Sequence, residues 1–211
     1  RVSEAPVREQ AWLWPARIPV GEITGIIGPR GAAKSYLVAE IVAKVSSGAP
    51  WPDHLDTPRE PGEVLLISTE DDLAEAIRPR LAACGADLDK IHHLDPRKRN
   101  DTDILDFAIE EVAQVARALP GLKLIVIDPF ADAIEAQSDR SAEGVRAALA
   151  ALKNLAAEQG LAVILVNATD KACVVYAGRT KVDILPLLHA KARALWSVEQ
   201  DPVERRRFVW L

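Results

Sequence analysis

Residues 28–35 read Gly28-Pro29-Arg30-Gly31-Ala32-Ala33-Lys34-Ser35. An apolar run, Ile23-Thr24-Gly25-Ile26-Ile27, precedes them, and Leu37, Ile41 and Val45 follow at helical spacing. A strand, a glycine-containing turn and a helix in that order form the setting of a phosphate-binding loop. Its N–H groups and the helix N-terminus cradle an anion, Lys34 reaches the outer phosphates of a nucleotide, and Ser35 offers a hydroxyl to Mg²⁺. Residues 28–35 and the adjoining Tyr36 are therefore read as nucleotide-binding. One position departs from the G-x-x-x-x-G-K-[ST] pattern, because Ala33 stands where the second glycine belongs. Alanine costs little there if the residue is already helical and much if the turn needs a positive φ.

Outward from the loop, strand-like and helix-like segments alternate. Glu63-Val64-Leu65-Leu66-Ile67-Ser68 reads as a buried strand, residues 91–94 as a short one, and residues 122–127 and 161–166 as two more. Helical spacing marks Leu73, Ile77 and Leu81, with a bend at Pro79 and a stop at Gly85. It also marks Ile104 through Leu119, begun by Asp101 or Thr102, and Val145 through Ala156, closed by Gly160. The four prolines of residues 49–61 make that stretch a loop. The expected fold is α/β: a mostly parallel twisted sheet with helices on both faces. Residues 192–198 and 207–211 flank Asp201-Pro202 as an antiparallel C-terminal extension.

Composition narrows the class. The 211 residues are 49% hydrophobic and 27% charged, as in a globular chain, and the net charge of −5 excludes a broad basic coat. Cys84 and Cys173 are isolated, which fits a reducing compartment without structural zinc. Neither a signal peptide nor a run of 18 apolar residues is present, so the sequence reads as cytoplasmic and free of membrane. A start at Arg1 and the lack of methionine suggest a single domain, residues 1–211, excised from a longer protein.

Three further positions carry chemistry. Asp128 ends the run Leu124-Ile125-Val126-Ile127, where an acid holds Mg²⁺ directly or through water; a turn acid before Pro129 is the plainer alternative. Ser68-Thr69-Glu70-Asp71-Asp72 crowds three acids at a strand end. Glu70 is placed to align an attacking water, Asp71 to support it, and Asp72 to start a helix. His92-His93 reads as a strand end rather than a metal site, and Arg97-Lys98-Arg99 as a solvated run. Trp12 and Trp14 are read as packing over the core, with adenine stacking as the alternative.

The order Ile18-Pro19-Val20-Gly21-Glu22, then residues 28–35, then Ser68 through Asp72, then Ile127-Asp128-Pro129 resembles the RecA-like AAA-type ATPases. The resemblance is to those related to the hexameric plasmid replicative helicase RepA and to phage and plasmid primase-helicase proteins. It covers nearly the whole chain, Trp51-Pro52 and Val145-Arg146 included. It implies a RecA-like P-loop core that hydrolyses ATP with Mg²⁺, Glu70 activating water and Asp128 serving the metal. It further implies a ring-shaped homo-oligomer, a hexamer, with single-stranded DNA as a partner. Arg193, ahead of Ala194-Leu195-Trp196, matches the family's strand-leading arginine and is a candidate arginine finger toward a neighbouring subunit.

The departures are local. Asn167 stands where the family carries a histidine after the strand; it can hydrogen-bond a phosphate but cannot become cationic. Ile184-Leu185 replaces a Gly-Ser pair. Lys171, Arg179 and Lys181 lie in a loop-like stretch suited either to a DNA channel or to solvent. An ATP-binding switch with little hydrolysis is thus the alternative to a motor, and a small-molecule kinase a weaker third.

Overall fold

The computed structural model describes residues 9–55, 59–95, 109–135, 139–170, 174–178, 180–200 and 207–210. Six parallel strands and one antiparallel strand form the central sheet. They are β3 (Ile23–Gly28), β4 (Glu63–Ser68), β5 (Ile91–Leu94), β6 (Leu122–Asp128), β7 (Ala162–Ala168), β10 (Ala194–Gln200) and β11 (Arg207–Trp210). Their order across the sheet is β11-β10-β3-β7-β6-β4-β5, and only β11 runs antiparallel, against β10. The strand carrying the phosphate loop is thereby separated from β6 by β7. The expected α/β core with its antiparallel C-terminal extension is what the chain forms.

The central strands β4, β6 and β7 carry continuous apolar runs because both faces are covered. Alternation along each strand deals the side chains to two cores. Leu65, Ile67, Ile125, Ile127, Val163 and Leu165 face one; Val64, Leu66, Leu124, Val126, Ile164 and Val166 face the other. The second core holds α1 (Lys34–Ser47) and α2 (Arg78–Ala83). The first holds α3 (Ile109–Ala118), α4 (Phe130–Glu135), α5 (Ala142–Gln159) and α6 (Leu185–Lys191). Ser141 caps α5 by accepting from the Gly144 N–H at 3.1 Å, and Gly160, at φ 64°, ends it. Residues 101–108, which carry the expected start of α3, lie outside the described residues, as do Arg97, Lys98 and Arg99.

Three features differ from the sequence expectation. The helix over Leu73–Ile77 is a π-turn, capped by Asp72 accepting from the Ala74 and Glu75 N–H groups at 2.7 and 2.9 Å. It passes straight into α2, so the change of winding comes before Pro79, which sits in the first turn of α2, where its missing N–H is not needed. Part of the stretch read as a loop beyond residue 170 is a hairpin, β8 (Val174–Ala177) with β9 (Thr180–Asp183). Val175 and Val182 face the core and pin it, while Tyr176 and Lys181 pair across its exposed side. Ile184 is fully buried, which gives the Ile184-Leu185 pair a packing role at the start of α6.

Near the chain start, β1 (Trp12–Trp14) and β2 (Ile18–Pro19) form a small antiparallel ribbon. Trp14 stacks on Trp51, with ring centroids 4.4 Å apart and planes 2° from parallel, and meets Trp196 edge-on at 5.4 Å. Trp14 packs over the core as expected; Trp12 is 41% exposed.

Candidate functional site

The carboxyl ends of β3, β4, β6 and β7 open onto one cleft of about 370 Å³. Lys34, Ser35, Glu70, Asp128 and Asn167 all line it. Register explains the gathering: Ser68 pairs with Asp128, and Ile27 with Asn167, so residues distant in sequence end at one level.

Gly28 must be glycine, since a Cβ there would lie 2.2 Å from the Val198 carbonyl oxygen. Gly31 turns at φ 77°, and Ala33 sits at φ 67°, ψ 29°. Ala33 therefore occupies the costly left-handed conformation rather than a helical one, at a penalty of about 1–2 kcal/mol. That geometry lets α1 begin at Lys34. The first turn of α1 has no side-chain cap and no acid, so its N–H donors and positive dipole end suit an anion. Lys34 Nζ lies inside the loop, donating to the carbonyls of Gly28 and Pro29 at 2.9 and 3.0 Å.

Ser35 Oγ donates to Asp128 Oδ2 at 3.0 Å, so helix and strand present a hydroxyl and a carboxylate at one point. Burial pushes the Asp128 carboxyl up to about 6; the Ser35 hydrogen bond and Lys34 oppose that, and the charges of Glu70 and Asp71 add to it. A carboxylate destabilised in this way gains most from a cation. Two hard oxygen donors are what Mg²⁺ takes from a protein when phosphates and water complete its shell. Among the described residues no set of three or more His, Cys, Asp or Glu forms a metal cage, His92 and His93 included. His92 instead meets Glu63 at 2.7 Å.

The pleat separates neighbours near Glu70. Ser68 is buried near Asp128, whereas Thr69 turns the other way and donates to Asp132 Oδ2 on α4 at 2.6 Å. Glu70 is exposed and lines the cleft. Asp71 pairs with Arg80 at 2.8 Å. Asn167 is fully buried, and its Oδ1 accepts from the Ala131 N–H at 3.0 Å. Arg30 and Tyr36 stand at the cleft's rim, Arg30 3.7 Å from Asp170. Arg193 does not join them. Its N–H donates to the Ile23 carbonyl at 2.8 Å, at the amino end of β3, roughly 17 Å of strand away from Gly28.

Sequence reasoning missed Arg80, Thr69 and Asp132. The pleat signal was available for Thr69, one residue out of phase with Ser68 and Glu70. Nothing local distinguishes Arg80 from Arg78.

Residues 1–172 match the family described as an AAA domain. The chain belongs to that family. AAA domains are nucleotide-binding ATPases, typically used with Mg²⁺. No curated protein matches the chain. No helix among the described residues is long and apolar enough to cross a membrane.

Proposed function

We propose that this AAA domain is one RecA-like ATPase domain spanning residues 1–211, the core of a ring-forming cytoplasmic motor that hydrolyses Mg·ATP. In this reading, close to RepA-type and primase-helicase ATPases, the rings are hexamers acting on single-stranded DNA in replication of a plasmid, phage or other mobile element. The supporting observation is the convergence of Lys34, Ser35, Glu70 and Asp128 on one cleft from three separate segments. Bound Mg²⁺ would supply charge neutralisation between phosphate oxygens. Ser35 and Asp128 would hold the ion, Lys34 and the loop amides would grip phosphate, and Glu70 would orient the attacking water. Asn167 is in reach of the cleft as a polar contact. Arg193 serves as a finger only from a neighbouring subunit, because it lies at the far end of its own sheet. The β8–β9 hairpin, with Tyr176 60% exposed opposite Lys181, offers a ring and a charge to a single strand.

A second reading, an ATP-binding switch with slow turnover, draws on the left-handed Ala33, which weights the loop toward strain. Steady-state Mg·ATP hydrolysis with and without single-stranded DNA separates the two. A motor gives turnover that rises with DNA and vanishes in Glu70→Gln; a switch gives tight binding and slow turnover indifferent to DNA. Unchanged turnover in Glu70→Gln would sink the water-aligning role.

A further inference from the structure

Beside the cleft lies a void of about 30 Å³ whose walls are apolar side chains of α1, α2 and β4 together with Ser35, Glu70, Asp71, Arg80 and Asp128. Arg80 also lines the main cleft. It is thus the guanidinium beside the Ser35 hydroxyl and the Glu70 and Asp128 carboxylates. Arg30, the other arginine there, lies on the outer rim with a side chain 67% exposed. Arg80 is held on two sides. Its Nη1 lies 2.8 Å from Asp71 Oδ2, and its Cζ stands 4.8 Å from the centre of the Tyr36 ring. Its side chain is 19% exposed.

We propose that Arg80 is a phosphate-contacting residue supplied in cis, which binds the terminal phosphate of a nucleoside triphosphate and is stored against Asp71 and Tyr36 before that phosphate arrives. The proposal rests on the nucleotide reading of the cleft and adds what distinguishes triphosphate from diphosphate. The storage is easily exchanged. Asp71 is 39% exposed, and an ion pair in contact with solvent contributes little. A terminal phosphate offers more charge and a geometry that the planar guanidinium fork matches with two hydrogen bonds. Tyr36 keeps the guanidinium plane oriented while Asp71 gives way. Asp71 is then a positioning residue for Arg80 rather than a ligand of nucleotide or metal.

The test is affinity for Mg·ADP and for a non-hydrolysable Mg·ATP analogue, measured calorimetrically on the whole chain. Wild type is expected to prefer the analogue by about tenfold or more. Arg80→Ala should erase that preference while leaving ADP affinity within about twofold, and Arg80→Lys should restore only part of it. Asp71→Asn, which keeps the fold's shape and releases Arg80, should increase the preference. An Arg80→Ala protein that still prefers the analogue as wild type does overturns the proposal. So does one that loses ADP and analogue binding in parallel, since Arg80 then merely supports α2. If the Ala variant does not fold, an unchanged preference in both Arg80→Lys and Asp71→Asn overturns it equally. Wild type that binds neither nucleotide defeats the underlying reading of the cleft, a result distinct from either failure.

Discussion

The cleft at the end of β3 and the tryptophan cluster beyond the end of α1 are built by opposite rules. In the cluster, Trp51 is 1% exposed, stacks on Trp14, donates its Nε1–H to the Leu13 carbonyl at 2.9 Å, and carries Arg59 over its ring at 4.2 Å. Trp14 and Arg17 both donate to Asp53. Burial, stacking and hydrogen bonds agree there. In the cleft, Ala33 is held in a conformation alanine avoids, and burial, with the charges of Glu70 and Asp71 added, pushes the Asp128 carboxyl up to about 6. On the proposed nucleotide reading, a bound cation and phosphate relieve that strain and like charge. On the same reading stability resides in one region and chemistry in the other, so substitutions should separate the two.

The largest expected effect is on the cluster. Trp51→Ala should destabilise the fold by about 3–5 kcal/mol, read by chemical denaturation, while nucleotide affinity at low temperature stays within about twofold of wild type. A matching loss of affinity in folded protein would break the comparison. Next comes Asp128. Its folded carboxyl is raised above the unfolded value of 3.8, so its stabilising contribution is full below about pH 4 and is lost as pH rises through about 6. Asp128→Asn should therefore stabilise the nucleotide-free protein at pH 7 by about 2 kcal/mol after allowance for solvent screening, with the gain disappearing by pH 4. Binding of Mg²⁺ with nucleotide should weaken in wild type as pH falls through 6 and be weak at every pH in the variant. Smallest is Ala33→Gly, which relieves about 1–2 kcal/mol of left-handed strain but frees the unfolded chain by about 0.4–1 kcal/mol. A net gain near 0.5–1 kcal/mol, seen as a higher melting temperature, is expected; a loss would mean the loop relaxes differently.

Much of this arrangement was legible in the residues themselves. The central strands β4, β6 and β7 announced themselves by unbroken apolar runs, and the loop and acids by their place at strand ends. What stayed hidden depended on contacts between distant segments. Whether Ala33 was helical or left-handed follows from how the loop seats against β10, where Gly28 meets Val198. The six residues of α4 are too few to show a period, and they are tied down by Thr69, just past β4, and by Asn167 on β7. The β8–β9 hairpin has only Val175 and Val182 to mark its buried face, and its polar remainder read as loop. Arg80 acquires a place in the cleft only through the π-turn that resets the register of α2.

Calorimetric titration of Mg·ATP into wild type and Lys34→Ala at equal folded concentration tests the central claim most directly. The account predicts saturable binding in wild type and at least a hundredfold loss in the variant, with no loss of thermal stability. Equal affinity in both proteins would contradict it, because the loop at residues 28–35 would then not be where phosphate is held.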